Sequence, residues 1–147
     1  LPWRIRTLSG ADPAGEAMQL SRYANGSVGE QAFGFCQAVR RGAHVAVSGS
    51  TGRDVDGRIV PGGAYAQTRQ AIENLQTALA AVGGGLADVI RTRVFVVDMS
   101  EWEAVARAHC EAFAEHPPAS SLIGVSALFE PDLLVEIEAD AIIADGA

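Results

Sequence analysis

The strictest hydrophobic–polar pattern in the chain lies in residues 133–143. Leu133, Val135, Ile137, Ala139, Ala141 and Ile143 alternate with positions that include Glu136, Glu138 and Asp140. A period of two predicts a β-strand with one face in the core. The other face then carries three carboxylates spaced roughly 7 Å apart. A second strand-like run, residues 119–129, precedes it across the short turn Glu130-Pro131-Asp132.

Residues 88–98 are rich in β-branched side chains. Ile90, Thr92, Val94 and Val96 are expected on the core side, with Val89, Arg91, Arg93, Phe95 and Val97 on the other, since two arginines avoid a helix-covered face. Upstream, residues 34–39 and 43–49 read as two strands joined at Gly42. Residues 51–63 are dense in glycine, aspartate and proline and read as a loop, with a short strand at Arg58-Ile59-Val60.

Helical spacing governs two other stretches. Tyr65, Thr68, Ile72, Leu75, Leu79 and Val82 recur every three or four residues, and Gly83-Gly84-Gly85 ends the run. Those glycines follow a helix, whereas phosphate-cradling glycines precede one. Ser100-Glu101-Trp102-Glu103 has the form of a capping box. It opens a helix whose buried stripe is expected to be Trp102, Val105, Ala106, His109, Ala112 and Phe113, closed by Pro117-Pro118. Residues 1–32 lack a sustained period and read as an irregular leader with a short edge strand near residues 3–8. Residues 33–147 form a single domain. The order predicts an α+β fold, a mixed β-sheet with two helices packed on one face.

Composition narrows the function. The 147 residues are 48% apolar and 20% charged, enough for one domain with a real core. A net charge of −7 with scattered basic residues argues against a nucleic-acid partner. No apolar stretch approaches a membrane span and no signal-peptide pattern is present, so no membrane partner is expected. Two cysteines, Cys36 and Cys110, do not make a disulfide framework, and reduced thiols in a cytoplasmic protein are the reading they favour. No Cys/His spacing points to a metal.

The uncovered sheet face is expected to combine Ser48, Arg91, Arg93, Glu136, Glu138 and Asp140 with Val89, Phe95, Leu134 and Ile142. Such a mixture suits a subunit interface better than a solvated face. Glu138 is a candidate general acid/base or an interface ion pair with an arginine. His109 is a candidate proton carrier or a satisfied helix-face histidine. Ser48 and Ser120 are candidate pocket hydrogen-bonders, lacking an identified activating base.

Several motifs together resemble the RidA family, also called YjgF. These are Pro118-Ala119-Ser120-Ser121, the run Val135-Glu136-Ile137-Glu138-Ala139, Ser48-Gly49 in a V-S-G context, and Gln67-Thr68-Arg69-Gln70 with Asn74 in the first helix. The resemblance runs from about Gly34 to Ile143. It implies a chorismate-mutase-like fold closed as a homotrimer, with pockets between subunits and cofactor-free imine/enamine deaminase chemistry. By that resemblance Glu138 matches the glutamate that positions water, and Phe35 the first-strand aromatic. Arg93, Ser120, Phe35, Ser48 and Gly49 would line the substrate site, with Glu138 and His109 catalytic. One position departs: Ser120 stands where the deaminases place the arginine that grips a substrate carboxylate. Arg91-Thr92-Arg93 and Arg107-Ala108-His109 resemble a divergent subgroup. The expected function is a cofactor-free enzyme acting on a small imine, enamine or related unstable carbonyl compound. A non-catalytic trimeric binding or interaction module is the alternative.

Overall fold

Strand β6, Val135–Ile142, lies between two other strands, and its burial alternates as the sequence does. Val135, Ile137, Ala139 and Ala141 are buried, while Glu136, Glu138 and Asp140 are half-exposed. The computed structural model describes residues 20–144, and the expected strand at residues 3–8 lies outside them.

The sheet has six strands in the order β1-β2-β3-β6-β4-β5. They are β1 Leu20–Tyr23, β2 Ala38–Arg41, β3 His44–Thr51, β4 Val89–Val96, β5 Ala119–Gly124 and β6. All neighbours are antiparallel except β4 and β5. A parallel pair needs a crossover, and helix α3, Trp102–Phe113, supplies it. Helix α2, Gly63–Ala81, packs beside α3 on the same sheet face and buries Ala71, Ile72, Leu75, Ala78 and Leu79. Val105 and Phe113 of α3 join that core. The expected α+β mixed sheet with two helices on one face is therefore the observed architecture.

Several local expectations change. Part of the stretch expected to be irregular is regular: it contains β1 and a short helix α1, Val28–Phe33. Ser27 caps α1, and the buried Glu30 carboxylate accepts from the backbone N–H groups of Asn25 and Gly26 and from Gln37 Nε2. The strand expected at residues 34–39 begins only at Ala38. Residues 119–124 do not pair with β6; they form the outer edge beside β4.

In β4 a register shift between Val89 and Arg91 buries Val89 on the core side and leaves Ile90 exposed. A bulge adds one residue and so exchanges faces beyond it. Trp102 is half-exposed, and the buried stripe of α3 is Val105, Ala108 and Phe113. The cap ahead of α3 is Asp98, which accepts from the Ser100 N–H, instead of Ser100 itself.

Two α2 amides anchor the loops at one end of the sheet. Asn74 Nδ2 donates to the carbonyls of Thr51 and Arg53. Gln67 donates to the Asp132 carbonyl and accepts from Leu134 N–H, which fixes the entry to β6. Gly52 lets the chain pass close to α2, since a Cβ there would lie 2.6 Å from Gln67 Cβ. Arg53 pairs with Glu130, joining the loop after β3 to the loop before β6.

Candidate functional site

Alternation divides the predicted site residues between the two sides of the sheet. On the side away from α2 and α3, Arg93 of β4 lies directly across from Glu138 of β6. Its Nη1 is 3.4 Å from Glu138 Oε1 and 3.0 Å from Asp140 Oδ2. The guanidinium is thus shared by two carboxylates of one strand within the same chain.

Glu136, two residues earlier, lies across from Phe95 on β4 and Thr51 on β3. Between Val47 and Ser50 the β3 register shifts, and Gly49 sits in that irregularity. A Cβ on Gly49 would lie 2.7 Å from Glu136 Cδ, so the missing side chain makes room for this carboxylate. Burial, and secondarily the nearby Glu138 charge, push the Glu136 carboxyl above the usual carboxylate range. Ser48 Oγ donates to the Cys36 carbonyl at 2.6 Å, and Ser48 N–H donates to the Gln37 carbonyl at 2.9 Å. Those bonds tie the segment after α1 to the β3 bulge. Phe35 lies in that segment, outside any strand, edge-on to Phe33 with ring centroids 6.1 Å apart. Burial raises the Cys36 thiol's affinity for its proton, which opposes thiolate chemistry there.

The helix side holds a different cluster. Thr92, fully buried, pairs across the parallel ladder with Ser120. Thr92 Oγ1 lies within hydrogen-bond distance of Ser120 Oγ at 2.8 Å and of His109 Nε2 at 2.9 Å. The His109 ring also packs on Phe113 at 4.6 Å between centroids. Burial holds the His109 ring below the usual imidazole range, so it is neutral near pH 7. Among the described residues, no group of three or more His, Cys, Asp or Glu side chains is placed to hold a metal ion. Their helices include none long and apolar enough to cross a membrane.

The structure therefore joins Arg93 to Glu138, places Ser48 and Gly49 by the Glu136 region, and links Ser120 and His109 through Thr92. It does not bring Ser120 and Glu138 to one side of the protomer. Sequence reasoning missed three residues. Thr92 was placed on the core side without a role, although α3 carries a histidine on that side. Glu136 shared the Glu138 pattern, and only the β3 bulge separates the two. Glu30 was signalled by Ser27-Val28-Gly29-Glu30, the form of a capping box.

Comparison with known proteins adds the ancestry of this arrangement. The family described as Endoribonuclease L-PSP matches residues 29–143. The chain belongs to that family. Rv2704 of Mycobacterium tuberculosis, from the YjgF/YER057c/UK114 family, has a solved structure 42% identical in sequence. It superposes with a TM-score of 0.78, covering 84% of this chain and 99% of that one. The YjgF gene product of E. coli is 30% identical with a TM-score of 0.71, over 81% of this chain and 92% of that one. The 2-iminobutanoate/2-iminopropanoate deaminase of Salmonella typhimurium is 33% identical over 111 residues, which is 74% of this chain and 86% of the deaminase. The mixed sheet with helices on one face is the fold of these family members.

Proposed function

We propose that the chain is a cofactor-free enzyme of the cytoplasm that hydrolyses a small imine or enamine, assembled as a homotrimer through the open sheet face. The observation that carries this reading is the Glu136 carboxyl, half-buried against Gly49 with a raised proton affinity, in a chain related to imine deaminases. A carboxyl that holds its proton more tightly than usual suits a group that must both give and take one. Water adds to the C=N carbon while Glu136 takes one of its protons and returns it to nitrogen, giving a carbinolamine; Glu136 then carries the carbinolamine hydroxyl proton to nitrogen as the C–N bond breaks, and ammonia leaves a carbonyl product. Glu138, the choice made from the sequence, is engaged by Arg93, which favours Glu136 as the proton carrier.

Assembly is supported by the composition of the open face. It carries a depression of about 400 Å³ whose lining includes Val39, Ala46, Ile90 and Ile142, beside the charged cluster. Light scattering is expected to give three times the chain's 15.3 kDa at micromolar concentration, and a monomer mass would refute the assembly. The carboxylates along β6 and the net charge of −7 do not favour an RNA substrate.

The test of the reaction is an imine-quench assay with 2-iminopropanoate and with uncharged enamines. No guanidinium occupies position 120, so the 2-imino acid should react roughly tenfold or more slowly than with the Salmonella deaminase. Uncharged substrates should be preferred, and Glu136→Gln should abolish the turnover. A 2-imino acid rate equal to that of the deaminase would overturn the substrate assignment. The second reading, a non-catalytic binding module, is favoured by one observation: Arg93, a candidate replacement for the missing arginine, is held by two carboxylates. Absence of turnover with every imine and enamine tested would favour it.

A further inference from the structure

Helix α1 is packed in the reverse of the usual sense. Val28 and Phe33 are 84% and 86% exposed, and its one buried residue is Glu30. An ordinary surface helix turns an apolar stripe inward and its charges outward. What ties α1 to the chain around it is a carboxylate. Glu30 Oε1 accepts from Asn25 N–H at 3.0 Å and from Gln37 Nε2 at 2.8 Å, and Oε2 accepts from Gly26 N–H at 2.8 Å. Every partner is a donor. A carboxylate meets them with two oxygens, whereas an amide has one oxygen and would turn an N–H towards a donor.

These bonds lead to the candidate site. The Glu30 backbone carbonyl accepts from Gly34 N–H at 2.9 Å and from Phe35 N–H at 3.3 Å. Gln37 is held from three sides. Glu30 takes its side-chain amide, the Tyr23 carbonyl takes its N–H, and its own carbonyl accepts from Ser48 N–H on β3. Ser48 Oγ also donates to the Cys36 carbonyl. Ser48 adjoins Gly49, where the missing side chain makes room for the Glu136 carboxyl. Phe35 is exposed and Cys36 and Gln37 are half-buried, so polar bonds more than apolar burial fix residues 35–37 in place. The buried carboxylate holds one side of that segment and the β3 bulge holds the other.

We propose that Glu30 is a positioning residue of the site: its carboxylate fixes residues 35–37 against the Ser48-Gly49 bulge and so limits the water that reaches Glu136. The inference deepens the proposed enzymatic reading, and it rests on that reading only for the role of Glu136 as proton carrier.

The experiment follows the Glu136 side-chain carboxyl by ¹³C NMR as pH is raised, in the parent and in three variants at one protein concentration. Gln37→Met cuts the bond to Glu30 and keeps every charge. Arg91 and Arg93 of β4 and Glu138 and Asp140 of β6, the charged groups facing that side of the sheet, are then unchanged, so a moved midpoint reports solvent at Glu136. The midpoint should fall towards the ordinary carboxylate range, because burial is the larger cause of its displacement. Glu30→Gln should lower it further. Ser27→Ala removes the cap of α1 and leaves the three bonds to the carboxylate, so it should leave the midpoint in place, which a role in helix stability alone would not produce. An unmoved midpoint in Gln37→Met would overturn the proposal whatever Glu30→Gln does, since loss of a negative charge by itself lowers the midpoint of a neighbouring acid. An equal fall in Ser27→Ala would overturn it as well. Where Glu30→Gln fails to fold, Gln37→Met, which keeps the other two bonds, decides. The titration needs no turnover. A responsive midpoint in a protein that hydrolyses no imine would refute only the enzymatic reading, and hydrolysis with an unmoved midpoint would refute only this one.

Discussion

Thr92 and Arg93 are neighbours on β4, yet they meet opposite environments. Thr92 points under α3 and is fully buried, and its polar neighbours there are the uncharged His109 and Ser120. Arg93 points to the open side and meets two carboxylates, all three side chains remaining more than a third exposed in the protomer. One sheet thus carries two polar clusters built on different rules. Under the helices, burial is tolerated because every group is neutral and hydrogen-bonded. On the open side charges persist because solvent, or a second subunit, still reaches them. The difference separates the face that the chain closes itself from the face that the proposed assembly would close.

The largest expected effect tests that last statement. With the open face buried between copies, Arg93→Ala would strand Glu138 and Asp140 together in an interface. The expected loss is about 3–5 kcal/mol, seen as dissociation of the assembly on dilution in sedimentation experiments. A loss of about 0.5 kcal/mol or less would be the signature of an ordinary exposed pair and of a solvated face. The matching change on the other side is Ile137→Ala, beside Glu138 on β6. Ile137 is fully buried beneath the helices. Its truncation should cost about 3 kcal/mol through lost transfer energy and a cavity. That loss, read by denaturant unfolding, should raise the unfolded fraction without selectively splitting the assembly.

How much of this contrast could be read from the chain differs from strand to strand. The facing of Thr92 and Arg93 was legible, because alternation assigns sides without any knowledge of neighbours. So was the helix α2, whose apolar residues keep one spacing over nineteen residues. The place of β5 was not legible. Alternation states which way a side chain points and not which strand lies alongside, and the parallel pairing of β5 with β4 depends on the α3 crossover. The two register shifts were also hidden. Each adds one residue to a strand and moves Ile90, or the Ser48-Gly49 pair, relative to the expected faces. That shift is why Glu136 and Glu138 looked equivalent in the sequence and are not equivalent in the fold.

The smallest predicted effects come from titration, and they should have opposite signs on the two sides of the sheet. His109 sits below its usual range, through burial. Between about pH 6.5 and its lowered folded value, the unfolded chain binds a proton that the folded chain refuses. His109 therefore contributes stability above about pH 6.5 that is lost as pH falls through that window. Glu136 is displaced upward, through burial and then the Glu138 charge. Between about pH 4.3 and its raised folded value, the folded chain holds a proton that the unfolded chain releases. Its contribution is present below about pH 4.3 and is lost as pH rises through the raised value. Urea unfolding at one fixed protein concentration, from pH 4 to pH 8, separates the two. Relative to the parent, Glu136→Gln should show no gain at pH 4 and a gain that grows and levels off toward neutrality. His109→Gln should flatten the loss below pH 6.5 and leave the region near pH 8 free of a new slope. Glutamine at either position keeps a polar side chain of similar reach, so a change in slope reports the proton and not the packing. If both variants altered the same pH window in the same direction, the two clusters would be coupled through the sheet, and the division between its faces would fail.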